Sequence, residues 1–216
     1  MESKINIMDI LLKYFPDLTE EQIQKFKQLG DLYKDWNAKI NVISRKDIDL
    51  LYERHILHSL GIAKVLAFEK RTKIMDVGTG GGFPGIPLAI LFPDSDFYLI
   101  DVIAKKIRVV NEVSKSLELT NIKAEQKRAG TFDNRYDFIV SRAVTNMPDF
   151  VKWVRKNVAK KSEHTLLNGI LYLKGGDLTE ELAQFPKATE YSLQDFFEED
   201  FFETKKVVHL PLKYKL

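Results

Sequence analysis

The stretch Lys73-Ile-Met-Asp-Val-Gly-Thr-Gly-Gly-Gly-Phe-Pro-Gly-Ile-Pro87 constrains this chain more than any other. It reads as a short buried strand, a glycine-rich turn and the first turn of a helix. Glycine lacks a Cβ, so such a turn lets backbone N–H groups come close to a ligand. Pro84 and Pro87 fall where a first helical turn has no use for their missing N–H groups, and Pro93 ends that helix.

The rest of the chain alternates around this stretch. Thr72–Val77, Phe97–Asp101, Asn121–Lys127, Tyr136–Ser141 and Ile170–Lys174 have the apolar content and length of strands. Helices are predicted over Ala104–Leu117 and Pro148–Val158, the second with Phe150, Trp153, Val154 and Val158 on one side. Strands alternating with helices imply a mostly parallel sheet covered on both faces. Lys187–Leu193 and Lys205–Leu212 flank an acidic loop and predict an antiparallel hairpin at the sheet edge. Upstream, Thr19-Glu-Glu-Gln22 is a capping box. From it Ile23, Phe26, Leu29, Tyr33, Trp36 and Ile40 recur at helical spacing, weakened at Gly30. Ser44-Arg-Lys-Asp47 reads as the cap of a further helix. Residues 1–65 are thus expected to form a helical unit, and residues 66–216 an α/β domain.

At 216 residues, 44% apolar and without cysteine, the chain can bury a core, and disulfides, thiolate zinc sites and thiol nucleophiles are excluded. The N-terminus has no signal-peptide pattern and no apolar run spans a bilayer, so a cytoplasmic, membrane-free protein is expected. A net charge of +2 leaves a nucleic-acid partner to be decided by a local basic face.

Two templates fit the glycine turn. Asp76-x-Gly78-x-Gly80-x-Gly82 is the acid-then-alternating-glycine pattern of class I S-adenosylmethionine enzymes. Gly80-x-Gly82-x-x-Gly85 also satisfies the dinucleotide pattern, which keeps an NAD(P)-dependent oxidoreductase in play. Asp101, ending the second strand, suits a ribose diol in either case. The methyl donor is favoured because Asp76 attracts a cation and repels a pyrophosphate, and because Pro84 lies inside the phosphate turn of the dinucleotide register. A terminal antiparallel hairpin points the same way.

Ile74–Leu88, with Trp36-Asn37, Arg54-His-Ile-Leu57, Lys106-x-Arg108, Ser141-Arg-Ala143 and Leu173-Lys-Gly175, resembles the bacterial RsmG or GidB family from about Lys25 onward. That family methylates N7 of the guanosine at position 527 of 16S ribosomal RNA. The resemblance implies a class I S-adenosylmethionine-dependent methyltransferase, a Rossmann-like, mostly parallel sheet with a C-terminal antiparallel hairpin and an N-terminal helical cap. It implies that Gly78 and Phe83 line the donor site, Asp101 holds the ribose, Ala129 and Gly130 meet the adenine, and Arg142 faces donor and target. The family usually has a bulkier residue followed by Glu at 129–130, and often Asp where this chain has His58.

Guanine N7 carries a lone pair and no proton, so its methylation needs alignment rather than a general base, which fits a chain with no evident acid/base pair. Arg142, at a strand end, is the first candidate for catalysis. Asn37, Arg54, His55, Lys106, Arg108 and Lys174 are candidates for RNA contact in the 30S subunit. Asn41 adjoins this group; the bland alternatives are a helix end for Asn41, an interior histidine for His55, and solvated faces for Lys105, Lys106, Arg108, Lys174 and the run Lys152–Lys161. No metal site is expected from His55 and His58 alone. A ribosome-binding protein without catalysis is the remaining alternative, and a monomer is expected.

Overall fold

A computed structural model describes residues 8–44 and 47–212. The extreme N-terminus and residues 45–46 of the expected cap lie outside the described residues. Among the described residues seven strands form one sheet: β1 (Lys73–Val77), β2 (Asp96–Asp101), β3 (Ile122–Gln126), β4 (Phe138–Arg142), β5 (Gly169–Gly175), β6 (Thr189–Ser192) and β7 (Lys205–Pro211). Their order is β3-β2-β1-β4-β5-β7-β6. β1 to β5 pair in parallel, whereas β7 runs antiparallel between β5 and β6. The chain therefore moves from β1 outward in one direction and from β4 outward in the other. That reversal opens a crevice above the carboxyl ends of β1 and β4, the place where open α/β sheets take ligands.

Alternation along the strands divides the core in two. Ile74, Leu99, Phe138, Val140, Leu171 and Leu173 face the helices α1 (Asp9–Tyr14), α2 (Glu20–Lys39), α3 (His58–Val65), α4 (Gly85–Leu91) and α5 (Ala104–Ser116). Met75, Val77, Ile100, Ile139, Ile170 and Tyr172 face the other way, toward α6 (Met147–Val154) and Leu178 just before α7 (Thr179–Leu182). The N-terminal helices thus share one apolar core with a sheet face; burying such side chains contributes on the order of 1.5–3 kcal/mol each.

The capping box forms as expected: Thr19 Oγ1 accepts from the Gln22 N–H, and Gln22 Oε1 accepts from the Thr19 N–H. The Gln22 amide also donates to the carbonyls of Ile90 and Leu91, pinning the start of α2 to the end of α4. Gly30 does not weaken α2, which runs unbroken through it. A Cβ there would meet the Tyr52 hydroxyl at 2.5 Å, so the glycine admits a ring that bonds the Phe26 carbonyl across the helix. The expected helix after Ser44 enters as a 3-10 turn (Ile48–Leu50) and a π-helical segment (Tyr52–Leu57) before α3. The helix expected over Pro148–Val158 ends at Val154 and tightens to a 3-10 turn, because Val158 is drawn into a bridge with Tyr136. Trp153, expected on its buried side, is 41% exposed.

Candidate functional site

The glycine turn leaves β1 with Gly78, Gly80 and Gly82 all at positive φ, a backbone that L side chains rarely adopt. At Gly78 a Cβ would run into Val144, and at Gly82 into Ile86 and the Tyr33 hydroxyl. Two carboxylates hold this backbone. Asp101 Oδ2 accepts from the Gly80 N–H at 2.9 Å, and its Oδ1 accepts from the Ile103 N–H at 2.9 Å. Asp76 Oδ2 accepts from Thr79 Oγ1 at 2.7 Å and from the Gly85 N–H at 2.9 Å.

These bonds discriminate between the two cofactor templates. A pyrophosphate needs free N–H groups at the start of the following helix. Here Pro84 and Pro87 have none, the Gly85 N–H goes to Asp76 and the Ile86 N–H to the Gly82 carbonyl. The first turn of α4 is closed to a phosphate, and the group beneath it is a carboxyl.

Asp76 does not reach the open crevice. It is fully buried under the turn, and burial pushes its carboxyl up to about 7. Its second oxygen, Oδ1, is buried without a hydrogen-bond partner. The expectation that Asp76 meets a cation directly gives way to a carboxyl beneath the turn, which holds the loop and leaves one acceptor unspent.

The crevice itself measures about 370 Å³, within the range of small-molecule sites. Gly78, Asp101 and Ala129, named above for the donor, and Lys106, named above for RNA, line it together with Val102, Ile103, Lys127, Arg128, Val144 and Trp153, which carry no site motif in the sequence. Among the described residues five large apolar side chains are left exposed, and three of them, Val102, Ile103 and Trp153, sit on this one rim. An exposed apolar cluster on a concave surface marks a site for a flat apolar group. A signal for Trp153 was available: Met147, Phe150 and Val154 take the inward positions of α6, and Trp153 falls off that period. Gly130 is at φ 78°, and a Cβ would meet the Trp153 carbonyl at 2.8 Å, so this glycine lets the loop after β3 close against the end of α6.

Other expected residues are placed elsewhere. Phe83 is buried rather than lining the crevice; it packs against Tyr33 (4.8 Å between ring centroids) and His55 (5.3 Å). Tyr33 hydrogen-bonds the Gly81 carbonyl, tying α2 to the turn. Arg142 lies over the Phe83 ring, 5.2 Å from its centroid, and bonds the Arg54 carbonyl and the His55 ring. It does not appear in the crevice wall, where its neighbours Ala143 and Val144 do. Asn37 spends its side-chain oxygen on the N–H groups of Val42 and Ile43, both at 2.9 Å, and so ends α2 instead of pointing outward. Lys174 is a brace: 13% exposed, it pairs with Glu181 at 2.7 Å and donates to the Thr145 carbonyl at 2.7 Å, so it is no free cation for a phosphate. Arg54 pairs with Asp47 at 3.0 Å. Arg108 is exposed on α5 outside the crevice wall.

His58, packed edge-on against Phe201 and Phe202, is held well below the usual histidine range by burial. Among the described residues no cluster of His, Cys, Asp or Glu is arranged to hold a metal, and no helix is long and apolar enough to cross a membrane.

The fold has neighbours among solved structures. A methyltransferase described as S-adenosylmethionine-dependent from Aquifex aeolicus superposes with a TM-score of 0.56 at 15% identity, over 78% of this chain and 98% of that one. A ribosomal protein L11 methylase from Lactobacillus delbrueckii subsp. bulgaricus gives 0.53 at 16%, over 72% and 77%. Those likenesses concern the fold. At the sequence level, "Ribosomal RNA small subunit methyltransferase G" of Flavobacterium johnsoniae is 68% identical over 96% of this chain and 100% of its own length. The protein of that name from Bacteroides thetaiotaomicron is 57% identical over 94% and 98%. These relatives do not support the dinucleotide reading. The pattern of the family described as GidB, rRNA small subunit methyltransferase G, matches residues 22–207, and the chain belongs to that family.

Proposed function

We propose that this chain transfers a methyl group from S-adenosylmethionine to N7 of the guanosine at position 527 of 16S ribosomal RNA in the small ribosomal subunit. The observation that carries the reading is the turn: its helix N-terminus is closed to a phosphate, while carboxyls lie beneath and beside it. When bound, the donor supplies a methyl group activated by a sulfonium. Asp101 has one lone pair on each oxygen left after its bonds to Gly80 and Ile103, enough for two ribose hydroxyls. Val102, Ile103, Ala129 and Trp153 offer an apolar slot for the adenine, where backbone at 129–130 takes the place of the acidic side chain this chain lacks at Gly130. The buried Asp76 holds the turn beneath the donor through Thr79 and Gly85. On the target side, guanine N7 brings its own lone pair, so the chain needs to orient it and no residue has to remove a proton. N7 lies on the groove edge that A-form RNA keeps narrow, so the target has to be unpaired or turned out toward the crevice.

Arg142 is the residue proposed to face the target, and Arg54, Lys106 and Arg108 remain candidates for RNA phosphates. The protein is proposed to act as a monomer in the cytoplasm. The test is mass mapping of RNA after incubation of unmodified 30S subunits with methyl-labelled S-adenosylmethionine. One methyl on the single guanosine at that position is expected. No uptake by subunits or their RNA overturns the reading.

A further inference from the structure

Arg142 makes no direct ion pair, although the buried Asp76 carboxyl acts on it through space. Among the described residues no carboxylate lies within ion-pair distance of it; its partners are an imidazole nitrogen, a peptide carbonyl and a phenyl ring. Its Nη2 stands 2.9 Å from His55 Nδ1, and its Nη1 donates to the Arg54 carbonyl at 3.2 Å. Such partners fix a guanidinium in place without the bidentate carboxylate pairing that would occupy its N–H edge.

The segment that supplies these partners is shaped for it. Tyr52–Leu57 is π-helical, and the His58 N–H donates to the Glu53 carbonyl, five residues back, and to that of His55. The Arg54 carbonyl, which the backbone N–H of an α-helical His58 would have taken, accepts instead from Arg142 Nη1 and from the His58 ring. π-Helical turns recur at functional sites for this kind of reason. The His55 ring is further steadied by its edge contact with Phe83, and so the pair sits between the helical unit and the glycine turn.

We propose that His55 is the positioning residue of Arg142: as a neutral imidazole accepting through Nδ1, it holds the guanidinium where the RNA target enters. The inference rests on the reading of Arg142 given above. A guanidinium only donates, so the hydrogen bond requires Nδ1 to be unprotonated and any ring proton to sit on Nε2. Burial first, and Arg142 second, bring the His55 ring down to about 4, in keeping with an obligatory acceptor. The other charged or titratable groups around the pair are Arg54 and His58 on the same segment, Asp47 before it, Asp76 and Tyr33 near Arg142, and Lys205 near His58. A nearby cation outweighs Asp47, so the surroundings favour the neutral ring.

The experiment compares His55→Leu and His55→Asn in the full chain. The Asn side-chain oxygen stands near the position of Nδ1 and accepts. Steady-state methylation of unmodified 30S subunits gives kcat and KM for RNA, and calorimetry gives the affinity for S-adenosylmethionine. For Leu, kcat/KM for RNA is expected to fall by about tenfold or more, the loss of one hydrogen bond to a charged group, with donor affinity unchanged. Asn is expected to regain most of it. A Leu variant as active as the parent, or an Asn variant no better than Leu, overturns the proposal. If the Leu variant fails to fold, ¹⁵N NMR of the unmodified protein decides. An Nδ1 that stays an unprotonated acceptor from pH 8 to 5.5 is expected, and an Nδ1–H tautomer or a titration near 6.5 refutes. Arg142→Ala separates the two layers. An active Arg142→Ala variant removes the role of Arg142 itself; an inactive one beside an active His55→Leu removes only this inference.

Discussion

Replacing Asp101 by Asn tests whether the donor is held by charge. Each carboxylate oxygen accepts one backbone N–H at 2.9 Å, from Gly80 and from Ile103. A carboxamide has one oxygen, so one of those N–H groups would face an NH₂ donor. One charge-assisted bond is lost, worth about 1.5–3 kcal/mol. Gly80, at φ 59°, then loses the bond that keeps the turn in shape, or Ile103 loses the bond that starts the next helix. The same change removes the charge that would take the ribose hydroxyls. At 1.4 kcal/mol per factor of ten, affinity for S-adenosylmethionine is expected to drop by about 10- to 150-fold. Calorimetric titration, paired with a thermal melt, separates the effects. An affinity within about twofold of the parent, alongside a lower melting temperature, would show that Asp101 only staples the turn, and the reasoning would fail.

Burial raises the Asp76 carboxyl to about 7, so the folded chain keeps a proton that the unfolded chain loses near pH 4. Stability is therefore expected to fall as pH rises from about 4 to 7, by on the order of 3–4 kcal/mol in all. Asp76→Asn, unable to ionise, should gain on the parent across that window in melts at pH 5 and pH 8; a constant difference would contradict the assignment. Gly130→Ala puts a Cβ against the Trp153 carbonyl in a left-handed backbone. A loss of about 2 kcal/mol or more is expected in denaturant melts, and an unchanged midpoint would show that the loop moves freely. Trp36 and Trp153 are the two tryptophans. The donor should change the fluorescence of Trp36→Phe protein and leave that of Trp153→Phe protein nearly unchanged; the reverse result would take Trp153 off the adenine slot.

The parts of the fold legible in the sequence are those set by local chemistry. Strands of β-branched and aromatic residues, a capping box at Thr19 and prolines at the start of α4 announce themselves, because period and capping are properties of neighbouring residues. The glycine turn, Asp101 at the strand end and Ala129 beyond β3 were readable from spacing and resemblance. What spacing could not convey was direction. Asp76 turns beneath the loop because Thr79 and Gly85 recapture its oxygen. Lys174 looks like a free cation until Glu181, from a four-residue helix too short to leave a pattern, is brought beside it. Asn37 has the composition of a contact residue and the partners of a cap. Phe83 follows the turn in sequence yet points back into Tyr33 and His55. The π-helical turn has no compositional mark, since it comes from how His58 chooses among earlier carbonyls.

The crevice above β1 and β4 is proposed to accept an adenosine bearing a sulfonium and not a dinucleotide. Competitive equilibrium dialysis of the full chain against S-adenosylmethionine and against NAD(P) measures that directly. Saturable binding of S-adenosylmethionine at one site, lost in Asp101→Asn and unaffected by NAD(P), is the predicted result. Saturable binding of NAD(P) that S-adenosylmethionine cannot displace would assign the crevice to a dinucleotide instead.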